Sequence, residues 1–238
     1  MAYYDKIAKQ WHKATGYEGG AFKELVLNDR MLEFIPGIAG KSILELGAGN
    51  GYFMPMVLRR FSGQRPERVV VSDISTELLA IAERHFRIPD AEYRQIDIRK
   101  PLPFEDGSFG LIWAVMVFNE VPTGDFKRAL GECRRVLSGD GSLIMAVIHP
   151  AFVKSLEKRG QLAAGQGAGL TMPGAGNLRV PVVVRSLDNY RNCLTEAGFQ
   201  YQEQELYPTP EVLHAKSGLK NAGKIPLALV YRCSLLYP

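Results

Sequence analysis

SILELGAGNGYF, Ser42 to Phe53, opens with the apolar run of a buried strand (Ile43, Leu44, Leu46) and closes on Gly47, Gly49 and Gly51. One acid, Glu45, lies inside the strand. Glycine lets a chain turn tightly and lets a ligand approach the main chain without meeting a Cβ. The spacing is G-x-G-x-G, whereas dinucleotide enzymes carry G-x-G-x-x-G, and the acid precedes the turn. Glycines also end strands for steric reasons alone, so the reading of this turn depends on its surroundings.

Those surroundings repeat the theme in order. VVVSDIS, Val69 to Ser75, is a second apolar strand ending in Asp73, 22 residues after Gly51. An acid about 20 residues past such a turn is placed to accept bonds from ribose hydroxyls. A third stretch, YRQIDIRKPLPFEDGSFGLIWAV, runs from Tyr93 to Val115 and carries Asp97. In isolation Asp97 also reads as a loop acid or helix cap.

The series resembles the motifs of class I S-adenosylmethionine (SAM)-dependent methyltransferases. LPFEDGSF (Leu102 to Phe109) followed by RRVLSGDGSLIM (Arg134 to Met145) is similar to their small-molecule, ubiquinone-biosynthesis-like branch. The resemblance covers Tyr3 to Ile148 closely and the last strands more loosely. It implies SAM as cofactor, with S-adenosylhomocysteine (SAH) as product. It also implies a cofactor site at Glu45, Gly47, Ala48 and Gly49, with Asp73 and Ile74 on the ribose. Asp97 then faces the adenine amino group, Ile98 packs near the ring, and Ala114 and Val115 line the end of strand four. YYDKIAKQWH at the N-terminus is similar to a helix of the same branch that closes over the cofactor. Tyr4 and Trp11, seven apart, share one helical face. They read equally as aromatics near the sulfonium or as the buried stripe of an amphipathic helix.

The 238 residues suit one larger domain. Hydrophobic residues make up 46% and charged residues 23%, enough for a full core. The net charge is +4, but no Lys/Arg run exceeds a pair, which disfavours a nucleic-acid partner. Cys133, Cys193 and Cys233 have no metal-ligand spacing and form no disulfide framework. They read as small core hydrophobes in a reducing cytoplasm, so no metal is expected. The polar N-terminus is not a signal peptide, and no apolar run approaches the length of a membrane helix. A monomer and a homodimer both remain open.

Strand and helix alternate, which argues for a parallel sheet with helices on both faces. The resemblance implies a Rossmann-like α/β sheet of seven strands in the order 3-2-1-4-5-7-6, strand seven antiparallel. The whole chain, 1–238, reads as a single methyltransferase domain with an N-terminal helical cap over 1–36. A helix over Gly124–Leu137 is expected to stop at Ser138–Gly141, before strand five at Ser142–Ile148. Pro150 to Arg185 is rich in Gly and Ala without a strong period, and reads as a lid or a disordered insert. Leu187–Ala197 is helical, and the last strands are Phe199–Tyr207 and Leu227–Leu235.

Two departures from the family pattern are visible, and the second bears on the acceptor side. Gly110 replaces an acid at the start of strand four. Asn119, in VFNEVP, stands where the family often carries His. Asn orients but is no base at neutral pH. It either holds the acceptor or caps the turn before Pro122. His149, after strand five at the mouth of the sheet, is the candidate base, and otherwise a loop histidine with satisfied ring nitrogens. Glu120 reads as a solvated loop acid; His12, His85 and His214 read as surface. The leading expectation is methyl transfer to N or O of a small molecule. Alternatives are a peptide or RNA methyltransferase, a non-catalytic SAM-binding module, and a nicotinamide oxidoreductase that the glycine spacing disfavours.

Overall fold

The computed structural model describes residues 3–160, 169–172, 178–210 and 225–236, with the main chain alone at 169–172. Helix α1 (Tyr3–Thr15), a π-helical turn (Lys23–Leu27) and α2 (Asn28–Phe34) come first. Strands β1 (Ser42–Leu46), β2 (Arg68–Asp73), β3 (Glu92–Gln95) and β4 (Phe109–Val115) follow, separated by α3 (Phe53–Arg60) and α4 (Thr76–His85). A 3-10 turn (Phe118–Glu120) leads into α5 (Thr123–Val136), β5 (Leu137–Ile148) and α6 (Pro150–Lys158). Then come β6 (Gly169–Met172), β7 (Leu178–Pro181), α7 (Leu187–Glu196), β8 (Phe199–Leu206) and β9 (Ala228–Leu235).

Seven strands form one sheet in the order β3-β2-β1-β4-β5-β9-β8, with β9 antiparallel to both neighbours. With β8 and β9 as the sixth and seventh strands, this is the order implied by the resemblance. Both faces of β4 are buried, as a parallel sheet covered by helices requires. Leu111, Trp113 and Val115 enter one core with Ile43, Phe53 and Val71. Ile112 and Ala114 enter the other with Leu44, Phe126 and Leu130. All three cysteines are buried and free, the places of small hydrophobes.

Two boundaries differ from the sequence reading. Ser138–Gly141 does not separate α5 from β5. The strand begins at Leu137, which pairs with Phe109, and the register then jumps so that Leu111 faces Ser142. Leu137 is buried, and the extra residues are absorbed as a bulge rather than a loop. The insert after β5 is not structureless either. Pro150 stands in the first turn of α6, and Phe152, Val153 and Leu156 bury one helical face against Val182 and Leu227. Strands β6 and β7 pair antiparallel within the same insert. Residues 161–168, 173–177 and His214 lie outside the described residues. No described helix is long and apolar enough to cross a membrane.

Candidate functional site

The carboxyl ends of β1, β2 and β4 meet at the glycine turn, where open α/β sheets place their ligands. Gly47 has φ +64°, and a Cβ there would lie 2.5 Å from Val117 Cγ2. Conformation and space both demand glycine. At Gly49 a Cβ would meet Trp11 Nε1 at 3.4 Å, so α1 lies directly over the turn. Asp73 holds the turn in place. Its Oδ2 accepts from the Gly49 amide (2.8 Å) and its Oδ1 from the Ser75 amide (2.9 Å). Burial raises the Asp73 carboxyl above its ordinary value, and these amide bonds oppose the shift. Each oxygen keeps a lone pair for a further donor.

Glu45 is buried and registers opposite Trp113 on β4. Its Oε2 has no hydrogen-bond partner. Burial pushes its carboxyl up to about 7, against the pull of Trp113 and Lys23. A buried carboxylate oxygen without a donor is costly, and a ligand N–H would relieve that cost.

The cap completes the enclosure. The Tyr4 and Trp11 rings meet edge to face with centroids 5.3 Å apart. Tyr4 donates from its hydroxyl to Glu120 Oε2 at 2.7 Å. Glu120 is therefore not the solvated loop acid expected from the sequence. Burial pushes it up to about 8, with Tyr4's bond opposing and Asp73 adding to the rise. Lys23 brings its ammonium over the Tyr52 ring at 5.0 Å and the Trp11 ring at 5.8 Å. Burial lowers that ammonium to about 8, against the attraction of Glu120, Glu45 and Asp73. Neither Lys23 nor the buried setting of Glu120 carries a motif by which sequence reading could find it.

The adenine side is organised differently. A cavity of about 550 Å³ is lined by Ile74, Gln95, Asp97, Arg99, Lys100 and Pro103, which brings Ile74 and Asp97 together. Arg99 closes on Asp97 with Nε to Oδ1 at 2.8 Å and Nη2 to Oδ2 at 2.9 Å. That pairing holds the Asp97 carboxyl below its ordinary range. Ile98 is buried beside it. Ala114 has no exposed surface and belongs to the core, so it lines no cavity; Val115 is nearly as enclosed.

In the turn after β4, Asn119 is buried and its Oδ1 lacks a partner. The turn that carries it is clamped from far away in sequence. Val183 donates its amide to the Asn119 carbonyl at 2.8 Å. Buried Arg185 donates to the carbonyls of Phe118 (2.9 Å) and Val121 and reaches the Tyr190 hydroxyl at 3.2 Å. Its guanidinium also lies over the Phe126 ring at 4.7 Å.

His149 is spent on structure. Its Nδ1 accepts from the Ala151 amide at 3.0 Å, capping α6, and its Nε2 faces Glu205 Oε1 at 3.2 Å. The accepting Nδ1 places the ring proton on Nε2. A ring so engaged has no free nitrogen to take a proton from an acceptor. His12 is half-buried, with Nδ1 3.1 Å from Asn50 Nδ2, while His85 is exposed. The surface reading therefore fails for His12 and holds for His85. Among the described residues no His/Cys/Asp/Glu cluster has metal-site geometry.

A parallel sheet ending in a glycine turn locked by the acid of the next strand defines a nucleotide-type site of the Rossmann-like kind. Residues 43–141 match the family described as Methyltransferase domain. The chain is 27% identical over 222 residues to the malonyl-[acyl-carrier protein] O-methyltransferase of Pectobacterium atrosepticum, covering 91% of this chain and 78% of that one. It is 34% identical over 113 residues to the demethylmenaquinone methyltransferase of Thermus thermophilus, 47% of this chain and 49% of the relative. In fold it is similar to the S-adenosylmethionine dependent methyltransferase from Mesorhizobium loti. That likeness has a TM-score of 0.65 at 20% identity, over 90% of this chain and 98% of the other. Fold, glycine turn and matched domain together support a class I SAM-dependent methyltransferase with SAM as its cofactor.

Proposed function

We propose that this chain transfers a methyl group from SAM to a nitrogen or oxygen of a small molecule, working as one domain with residues 1–36 as its cap. The observation that carries the reading is the cup at the glycine turn. Buried Glu45 and Asp73 and half-buried Glu120 ring it and the Tyr4 and Trp11 rings roof it, and the aromatic faces with the ionised acids favour a cationic ligand. The residues fit the cofactor, since Asp73 keeps lone pairs free beside the turn and Glu45 Oε2 lacks a partner. Bound there, SAM supplies a methyl group already activated by a positive sulfur.

The chain's own residues hold and orient. Asp73 offers its remaining lone pairs to the ribose hydroxyls, Gly47, Ala48 and Gly49 line the cradle, and Ile74, Asp97 and Ile98 border the adenine side. Asn119 Oδ1 accepts from an N–H or O–H of the acceptor and fixes its approach. Neither His149 nor Glu120 is a ready base, because His149 is a helix cap and Glu120 holds its proton at neutral pH. Orientation alone can supply roughly 7–11 kcal/mol of barrier reduction. The site therefore suits an acceptor that arrives nucleophilic, a free amine or an ionised oxygen. Relatives named for O-methylation of malonyl-[acyl-carrier protein] and for demethylmenaquinone support the small-molecule class. The turn at Asn119 and the insert over 150–185 shape the acceptor side.

Calorimetric titration with SAM and SAH tests the reading. Both bind the wild type, and Asp73→Ala weakens both. Absence of heat from either ligand with the wild type would overturn it.

A further inference from the structure

The Lys23 side chain has no role in the reading above. It springs from the first residue of the π-helical turn Lys23–Leu27, and such turns are rare overall and frequent at functional sites. Its ammonium is enclosed by the Tyr52 and Trp11 rings and faces Glu120, Glu45 and Asp73. Among the described residues it makes no hydrogen bond and no ion pair. An enclosed ammonium with three unpaired donors is costly unless a partner arrives. Gly19 fixes the arrangement from the other side. It lies so close to the Tyr52 ring that a Cβ would come within 2.4 Å of a ring carbon.

The partner follows from charge. This argument rests on SAM binding at the glycine turn. The amino-acid end of SAM or SAH carries an ammonium and a carboxylate. Glu45, with its unpartnered Oε2, suits the ammonium. A carboxylate is disfavoured beside the ionised acids of the cup, and Lys23 is the cation that faces both Glu45 and Glu120. We propose that Lys23 receives the carboxylate of the bound cofactor, and that this contact ties the N-terminal cap to occupancy of the site. The cap then responds to ligands that bear the amino-acid end and ignores those that lack it.

Three ligands and two variants decide the matter. SAM and SAH carry the carboxylate; 5′-methylthioadenosine lacks the whole amino-acid end. Calorimetry of the full chain compares wild type, Lys23→Met and Lys23→Arg. Lys23→Met weakens SAM and SAH by ~10-fold or more, the scale of one charge-assisted bond. It leaves methylthioadenosine within about twofold, on the same scale, and Lys23→Arg keeps most of the SAH affinity. In hydrogen exchange, SAH protects residues 3–27 of the wild type, methylthioadenosine does not, and Lys23→Met loses the SAH protection. Equal loss for all three ligands would make Lys23 a packing residue. Tighter SAH binding in Lys23→Met would make the ammonium a competing occupant, and unchanged binding would leave it no role. Each of these overturns the proposal. A wild type that binds methylthioadenosine but neither SAM nor SAH overturns it as well, while one that binds none of the three removes the cofactor reading itself.

Discussion

The two halves of the site are built by different means. The glycine turn is locked by its near neighbourhood: the Gly49 amide and the Asp73 carboxylate that binds it are 24 residues apart, within one βαβ unit. The acceptor-side turn at Phe118–Val121 is locked by Arg185, 67 residues beyond Phe118 and at the far end of the insert. The first half is a property of the sheet. The second exists only once the chain has returned from α6 and the β6–β7 pair. On the proposed reading, cofactor binding and acceptor positioning are largely separable, because changes in the insert reach the turn through Arg185 and Val183 and meet the cofactor cup only at Glu120.

The largest effect should come from the cradle itself. Asp73→Ala deletes the acceptor of two backbone amides along with the lone pairs offered to the ribose. SAH affinity should fall about 100-fold by calorimetry, the scale of two charge-assisted bonds. A loss below threefold would break the equation of this turn with the cofactor site. Next comes the clamp. Arg185→Met strands the Phe118 and Val121 carbonyls in the interior, at a cost on the order of 2–3 kcal/mol in chemical denaturation. Amides of residues 118–121 should exchange faster while SAH affinity stays within about twofold, no more than a fraction of a bond. A parallel loss of SAH binding would show that the halves are coupled.

A smaller effect follows from titration. The Glu120 carboxyl stands at about 8 in the folded chain, against 4.5 ordinarily. Between those values the folded state keeps a proton that the unfolded chain releases, so stability falls as pH rises through that window and then levels off. Tyr4, Asp73 and Lys23 face this group, and the Lys23 ammonium that Glu120 attracts titrates near the same pH. Glu120→Gln should therefore gain in melting temperature over the wild type progressively from about pH 5 to pH 8. A pH-independent difference would refute the buried-acid reading. The smallest effect belongs to the adenine side. Arg99→Ala frees Asp97 from an exposed pair worth at most about 1 kcal/mol. SAH should bind up to about threefold more tightly, a fraction of that energy; weaker binding would mean that Arg99 itself contacts the ligand.

The same division governs what the sequence discloses. Strands β1, β2 and β4 announce themselves because burial on both faces demands unbroken apolar runs, and Asp73 follows from its distance to the glycines. Position in the chain carries no such signal for Lys23, whose importance arises from a turn folding back over Tyr52. The same holds for Arg185, which reads as one more surface cation until its carbonyl partners are seen. His149 misleads for a physical reason: a histidine before a proline at the mouth of a sheet suits a base and a helix cap equally, and the Ala151 amide decides between them. Ser138–Gly141 has turn composition, yet the buried Leu137 draws the main chain straight into the sheet. Asp97 was legible as an acid of the site, but its capture by Arg99 was not.

One consequence of the sheet order concerns how the molecule comes together. Strand β9 follows every other strand in the chain, yet it lies inside the sheet, between β5 and β8. Until residues 228–235 insert, β5 presents Ser142 to Ile148 as an open ladder and β8 has nothing to pair with. Exposed strand edges recruit other chains. A protein assembled without β9 would thus expose its stickiest surface there, and damage to β9 should reveal itself as aggregation before it reveals itself as lost activity.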